Sequence, residues 1–201
     1  MFFKYQQQNI KFGIMREEIN KALEVLKNGG VILYPTDTVW GLGCDATNEV
    51  AVAKVNEIKG RSADKSLIIL LDTDNKLQSY VNEIPEVAYQ LIEYAEKPMT
   101  IVFSGAKNVA KNVINSDGSI GIRIVKHDFC QQLLQRFRKP IVSTSANISG
   151  QPTPQFFDDI DPEIISSVDY VVNWEQEINT PKTPSTIVKL GPSGQFEFIR
   201  K

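Results

Sequence analysis

The chain has 201 residues, of which 42% are hydrophobic and 23% charged, and its formal net charge is −2. This composition suits a soluble domain large enough to bury a core without disulfides or a structural metal. It excludes a nucleic-acid binder that relies on bulk positive charge, so contact with RNA would need a local basic face.

Residues 15–28 place Ile19, Ala22, Leu23 and Leu26 at helical spacing, and Gly29-Gly30 supplies a left-handed stop. Residues 1–13 are expected to form an edge strand or an N-terminal arm. Val31-Ile32-Leu33-Tyr34, closed by Pro35, reads as a buried strand. Asn48 is the expected N-cap of a helix reaching Ile58. Residues 67–71 form the longest apolar run and read as a strand, too short to cross a membrane. Helical stretches follow at 75–80 and 85–95. Ile101-Val102-Phe103 and 120–125 read as strands. Cys130, Leu133, Leu134 and Phe137 mark another helix. Further strands begin at Ile141, Tyr170, Thr186 and Phe196. Alternating strands and helices without a repeat or linker predict one α/β domain over residues 1–201.

No apolar segment of signal-peptide length opens the chain. Cys44 and Cys130 are far apart and lack ligand-spaced partners. A cytoplasmic protein without a zinc site or disulfide framework is the expectation.

Four segments could carry chemistry. Pro35-Thr36-Asp37-Thr38-Val39-Trp40-Gly41-Leu42-Gly43 follows a strand, where open α/β sheets bind ligands. It lacks the third glycine of a dinucleotide fingerprint, and the chain has no Walker-type loop. Lys59-Gly60-Arg61 offers a compact charge and a bidentate fork to one polyanion, or simply favourable charge at a helix C-terminus. Lys65 follows four residues after Arg61 and supports an anion site. The run 143–150, Ser-Thr-Ser-Ala-Asn-Ile-Ser-Gly, supplies four hydroxyls and an amide, for a ligand or for its own turn. Arg123 lies inside a predicted strand and needs an anionic partner, either a core carboxylate or a ligand. His127 is the only histidine. Its setting suits a helix start better than the base of a Ser-His-Asp triad.

In chain order these segments resemble the YrdC family, the threonylcarbamoyl-AMP synthases. The resemblance rests on Tyr-Pro-Thr-Asp-Thr-Val-Trp-Gly-Leu-Gly (34–43), Lys-Gly-Arg (59–61) and Pro-Met-Thr-Ile-Val-Phe (98–103). It continues through Gly-Ile-Arg-Ile (121–124), Ser-Thr-Ser-Ala-Asn-Ile-Ser-Gly (143–150) and Pro-Ser-Thr-Ile-Val (184–188). It implies a twisted, open, mixed sheet with flanking helices and a concave basic cleft, in the short form without a further C-terminal domain.

The resemblance assigns Lys59, Arg61, Lys65, Ser145, Asn147 and Arg200 to ATP, with Lys59 and Arg61 acting electrostatically. It assigns Thr36, Thr100 and Ser185 to threonine. Two departures stand out. Glu96-Lys97 replaces the usual Pro-Gly before Pro98, and apolar residues 67–71 occupy the place of a histidine that contacts threonine in some members.

The implied reaction joins L-threonine, bicarbonate and ATP to give threonylcarbamoyl-AMP and pyrophosphate for tRNA modification. The carbamate is its own nucleophile, so the protein supplies positioning and positive charge. Magnesium is expected to arrive with ATP, with no organic cofactor and no protein-made metal site. The expected partners are the transferase proteins downstream and, where a basic face allows it, tRNA or double-stranded RNA. The alternatives are a non-catalytic relative that binds double-stranded or ribosomal RNA, and carbamoyl-adenylate chemistry serving another acceptor.

Overall fold

A computed structural model describes residues 2–61, 67–178, 180–191 and 193–201, with the backbone alone at 2–5 and 7–9. Helix α1 (Phe2–Lys27) carries the expected stripe in its C-terminal half, where Met15, Ile19, Ala22 and Leu26 are buried. Residues 2–13 extend this helix and do not form an edge strand. Once the buried half has nucleated, each further residue adds a backbone hydrogen bond at little cost, and the glutamine-rich sequence is compatible with helix. Gly29 ends the helix at φ +74°.

The remaining elements are β1 (Ile32–Tyr34), β2 (Gly41–Gly43), α2 (Glu49–Ile58), β3 (Ile68–Leu71), α3 (Glu86–Tyr94), β4 (Met99–Phe103) and β5 (Ile120–Ile124). They continue with α4 (Asp128–Phe137), β6 (Ile141–Ser145), α5 (Pro162–Ser167), β7 (Tyr170–Val171), β8 (Thr186–Leu190) and β9 (Phe196–Arg200). Asn48 caps α2 as expected, its side chain accepting from the amides of Val50 and Ala51.

All nine described strands join one mixed sheet in the order β7-β1-β2-β6-β3-β5-β4-β8-β9. Pairs β1–β7, β3–β5 and β4–β8 are parallel and the others antiparallel. Period-two alternation sends Ile69, Leu71, Ile101, Phe103, Ile120 and Ile122 to one face, where α2, α3 and α5 cover them. On the other face Ile32, Tyr34, Leu70 and Ile141 pack under α1 and α4. Those two helices cover only part of that face. No described helix is long and apolar enough to cross a membrane.

Strand β2 was not expected, because Gly-Leu-Gly has little strand propensity. Close packing explains it: a Cβ on Gly43 would lie 2.6 Å from Tyr34 Cε1 and 2.9 Å from the Val142 carbonyl oxygen. Tyr34 is fully buried and cannot retreat. Gly43→Ala should therefore cost about 1–3 kcal/mol of stability, the usual range for overpacking. Thermal unfolding checks this, and an unchanged midpoint would contradict it.

Candidate active site

The part of the sheet left bare by α1 and α4 carries small and polar residues. Alternation from Ile141 brings Ser143 and Ser145 to this face, and β5 contributes Arg123. Together with Thr38, Trp40, Thr153, Ser185 and Arg200 they line a cleft of about 180 Å³. Gly121 keeps its floor low, since a Cβ there would meet Ile68 at 2.9 Å and Thr100 at 3.4 Å. A wider hollow of about 580 Å³, lined in part by Asn147, Ile148 and Gln151, shares Thr153 with the cleft.

Thr36 lies beneath the turn after β1 and is 1% exposed. Its hydroxyl donates to the Val39 carbonyl (2.7 Å) and accepts from the Thr38 amide (3.0 Å), the pattern of a hydroxyl-stabilised turn. It shapes the turn, and Thr38 is the residue that lines the cleft. Thr100 is fully buried and sits 2.8 Å from the Ser185 hydroxyl, so it fixes Ser185 from behind.

Lys59 caps α2 and is 4% exposed. Its ammonium donates to the carbonyl oxygens of Ser145 and Asn147 at 2.5 and 2.6 Å, and the Ser149 amide donates to its carbonyl. Lys59 thus ties the loop after β6 to the end of α2. Asn147 donates from Nδ2 to the carbonyls of Ile148 and Gln151, which rounds that loop. Its buried Oδ1 has no hydrogen-bond partner among the described residues. Arg61 is half-buried, and desolvation lowers its pKa. Lys65 lies outside the described residues.

Arg123 is almost fully buried, with Nη2 3.4 Å from Asp37 Oδ1. Asp37 Oδ2 also accepts from the Lys126 amide. Both readings of the strand arginine therefore apply, since it meets a carboxylate and also lines the cleft. The contact is an ion pair by distance without good hydrogen-bond alignment, because Arg123 Nε and Asp37 Oδ1 have no hydrogen-bond partner among the described residues.

A β-bulge brings in the second guanidinium. Along β9, Phe198 pairs with Val188 but Arg200 pairs with Ile187, leaving Ile199 as the extra residue. Val188 faces the core and Ile187 the cleft, so Phe198 and Arg200 point to opposite faces although only two residues apart. Re-aiming a side chain is a common use of a bulge. Arg200 Nε and Nη2 donate to the Ser185 carbonyl at 3.0 and 2.8 Å. Desolvation lowers the pKa of Arg200, helped by the nearby charge of Arg123.

Of the residues expected from sequence, Ser145, Ser185 and Arg200 line the cleft, while Lys59, Thr36, Thr100 and Asn147 support its walls. Thr38, Ser143 and Thr153 were not expected there. The first two lie within the quoted motifs, and Thr153 carries no sequence signal of its own. Ile68, from the apolar stretch 67–71, forms part of the wall. Glu96 and Lys97 line a separate cavity of about 270 Å³ together with Asp37 and Met99.

The fold and cleft define an α/β protein with a small cleft, lined by Arg123 and Arg200, on an uncovered part of one sheet face. The chain belongs to the Sua5_yciO_yrdC family, described as Telomere recombination, which it matches over residues 24–201. It is 37% identical over 172 residues to a threonylcarbamoyl-AMP synthase of Pseudoalteromonas translucida (strain TAC 125), covering 84% of this chain and 91% of the relative. Among solved structures, Pyrococcus abyssi Sua5 complexed with L-threonine superimposes with a TM-score of 0.77 at 29% identity. That alignment covers 86% of this chain but 50% of the Sua5 chain, so the chain spans half of that protein's length. Escherichia coli YciO shares the fold with a TM-score of 0.80 at 24% identity, covering 93% and 89% of the two chains.

Proposed function

We propose that the chain is an L-threonylcarbamoyladenylate synthase. It converts L-threonine, bicarbonate and ATP to threonylcarbamoyl-AMP and pyrophosphate for tRNA modification. One observation carries the reading. Arg123 and Arg200 line one small cleft with no Asp or Glu among its described lining residues, and with Asp37 meeting Arg123 from behind, the cleft favours a small anion. About 180 Å³ is below the roughly 300–1,000 Å³ usual for drug-sized ligands, so the cleft suits threonine and the adjoining hollow suits the nucleoside.

The chemistry then follows from position. The threonine carboxylate takes the guanidinium end of the cleft, and the Ser185 and Thr38 hydroxyls flank the substrate. The threonine amine attacks bicarbonate carbon and water leaves, giving a carbamate. A carbamate oxygen attacks the α-phosphorus of ATP and the bond to pyrophosphate breaks. No side-chain nucleophile is required. The loop held by Lys59, with Ser145 and Asn147, and the half-buried Arg61 supply donors where phosphate charge reorganises.

Magnesium carried with ATP would neutralise phosphate charge. Among the described residues no group of three His, Cys, Asp or Glu is placed to hold a metal, so no protein ligand is assigned to it. The labile product passes to separate threonylcarbamoyl transferase proteins.

The test is pyrophosphate release by the purified chain with ATP and bicarbonate. Release should depend on threonine and fall to background with serine or no amino acid. ATP-independent binding of double-stranded RNA with a steep salt dependence, and no threonine-dependent release, would instead establish the RNA-binding alternative.

A further inference from the structure

Residues 172–178 and 180–185 belong to the connection from the first strand of the sheet order, β7, to the eighth, β8, which lie far apart in the sheet. It is held at two points beside the cleft. Glu175 Oε2 lies 3.0 Å from His127 Nε2, and because a carboxylate only accepts, the imidazole donates. Lys182 Nζ donates to the Thr36 carbonyl at 2.8 Å and lies 3.8 Å from the same Glu175 oxygen. Glu175 has φ +60°, a left-handed conformation that a non-glycine residue keeps only where its surroundings hold it. The hydrogen bond from His127 lowers the pKa of Glu175, so the carboxylate is charged when it meets Lys182.

The placement of these contacts gives them a role. Thr36 organises the turn that presents Thr38, and two residues beyond Lys182 the chain reaches Pro184 and Ser185, which line the opposite wall. Lys182 therefore ties the two walls of the cleft to each other, and His127 and Glu175 fix Lys182.

We infer that His127, Glu175 and Lys182 form a positioning relay that sets the width of the threonine end of the cleft. None of the three needs to touch substrate. The inference rests on the synthase reading for its substrate, but the relay itself is a property of the free protein.

The test uses the full chain with Lys182→Met and Glu175→Gln, singly and together. Threonine KM should rise about tenfold in Lys182→Met, the effect of losing one charge-assisted hydrogen bond, and by about threefold in Glu175→Gln, which removes only the charge beside Lys182. ATP KM should stay within about twofold. The double variant should be no worse than the more affected single variant, since both act on one contact chain. Lys182→Arg, which keeps a donor, should recover most of the loss. Equal rises in both KM values, or a lowered unfolding midpoint with threonine KM unchanged, would overturn the relay.

If the unaltered protein shows no threonine-dependent pyrophosphate release, the synthase reading fails, and amide hydrogen exchange then decides the relay. Faster exchange at Thr38 in Lys182→Met supports it, and unchanged exchange overturns it.

Discussion

Arg123→Met should abolish measurable threonine-dependent turnover and also destabilise the free protein. Arg123 and Asp37 are 3% and 8% exposed as residue and side chain respectively, so neither charge is well solvated. Removing one partner of a buried pair costs about 3–5 kcal/mol, because the other charge is stranded. For a chain of this length that lowers the unfolding midpoint by roughly 6–20 °C. Adding Asp37→Asn separates the two roles. The double variant should regain most of the stability but not the activity, because the guanidinium facing the cleft is still missing. Activity returning together with stability would show that Arg123 serves the core alone.

Lys59→Met is the second large effect. A lysine that only waits for phosphate would leave the ligand-free protein as stable as before. Lys59 is 4% exposed and binds two carbonyl oxygens of the loop after β6. Stranding buried acceptors costs about 1–3 kcal/mol each, so a loss of roughly 2–6 kcal/mol is expected. ATP KM should rise at least about tenfold as Ser145 and Asn147 lose their fixed placement. Calorimetry without ligand separates the roles. An unchanged midpoint with a raised ATP KM would make Lys59 a pure ligand contact and contradict the account of the loop.

Most of the sheet was legible because its strands are short apolar runs bounded by Gly, Pro or polar turns, as at 31–34 and 67–71. Its helices announced themselves by caps, as at Asn48, or by a stripe, as at Cys130, Leu133, Leu134 and Phe137. Three elements escaped for physical reasons. Helix α5 has only six residues, too few to show a helical stripe. In β2 the requirement is a missing side chain beside Tyr34, which no propensity scale rewards. Residues 2–13 continue a helix nucleated further along the chain and carry no stripe of their own.

The site divides in a similar way. Hydroxyls and cations in the motifs marked the region, but their individual roles depend on direction. Thr36 and Lys59 read as ligand groups, yet their polar atoms are turned to backbone partners. Arg200 is assigned by the resemblance alone, and only the bulge at Ile199 turns it into the cleft. The partners of His127 and Lys182 are separated from them in sequence by 48 residues and 146 residues, beyond the reach of local patterning.

Carbon-13 bicarbonate supplied with ATP and L-threonine, with the nucleotide products followed by mass spectrometry, tests the synthase reading directly. A synthase forms a threonine adenylate heavier by one carboxyl group, carrying the labelled carbon and produced in step with pyrophosphate. An unlabelled threonyl adenylate formed without bicarbonate, or no adenylate at all despite bound ATP, would contradict it.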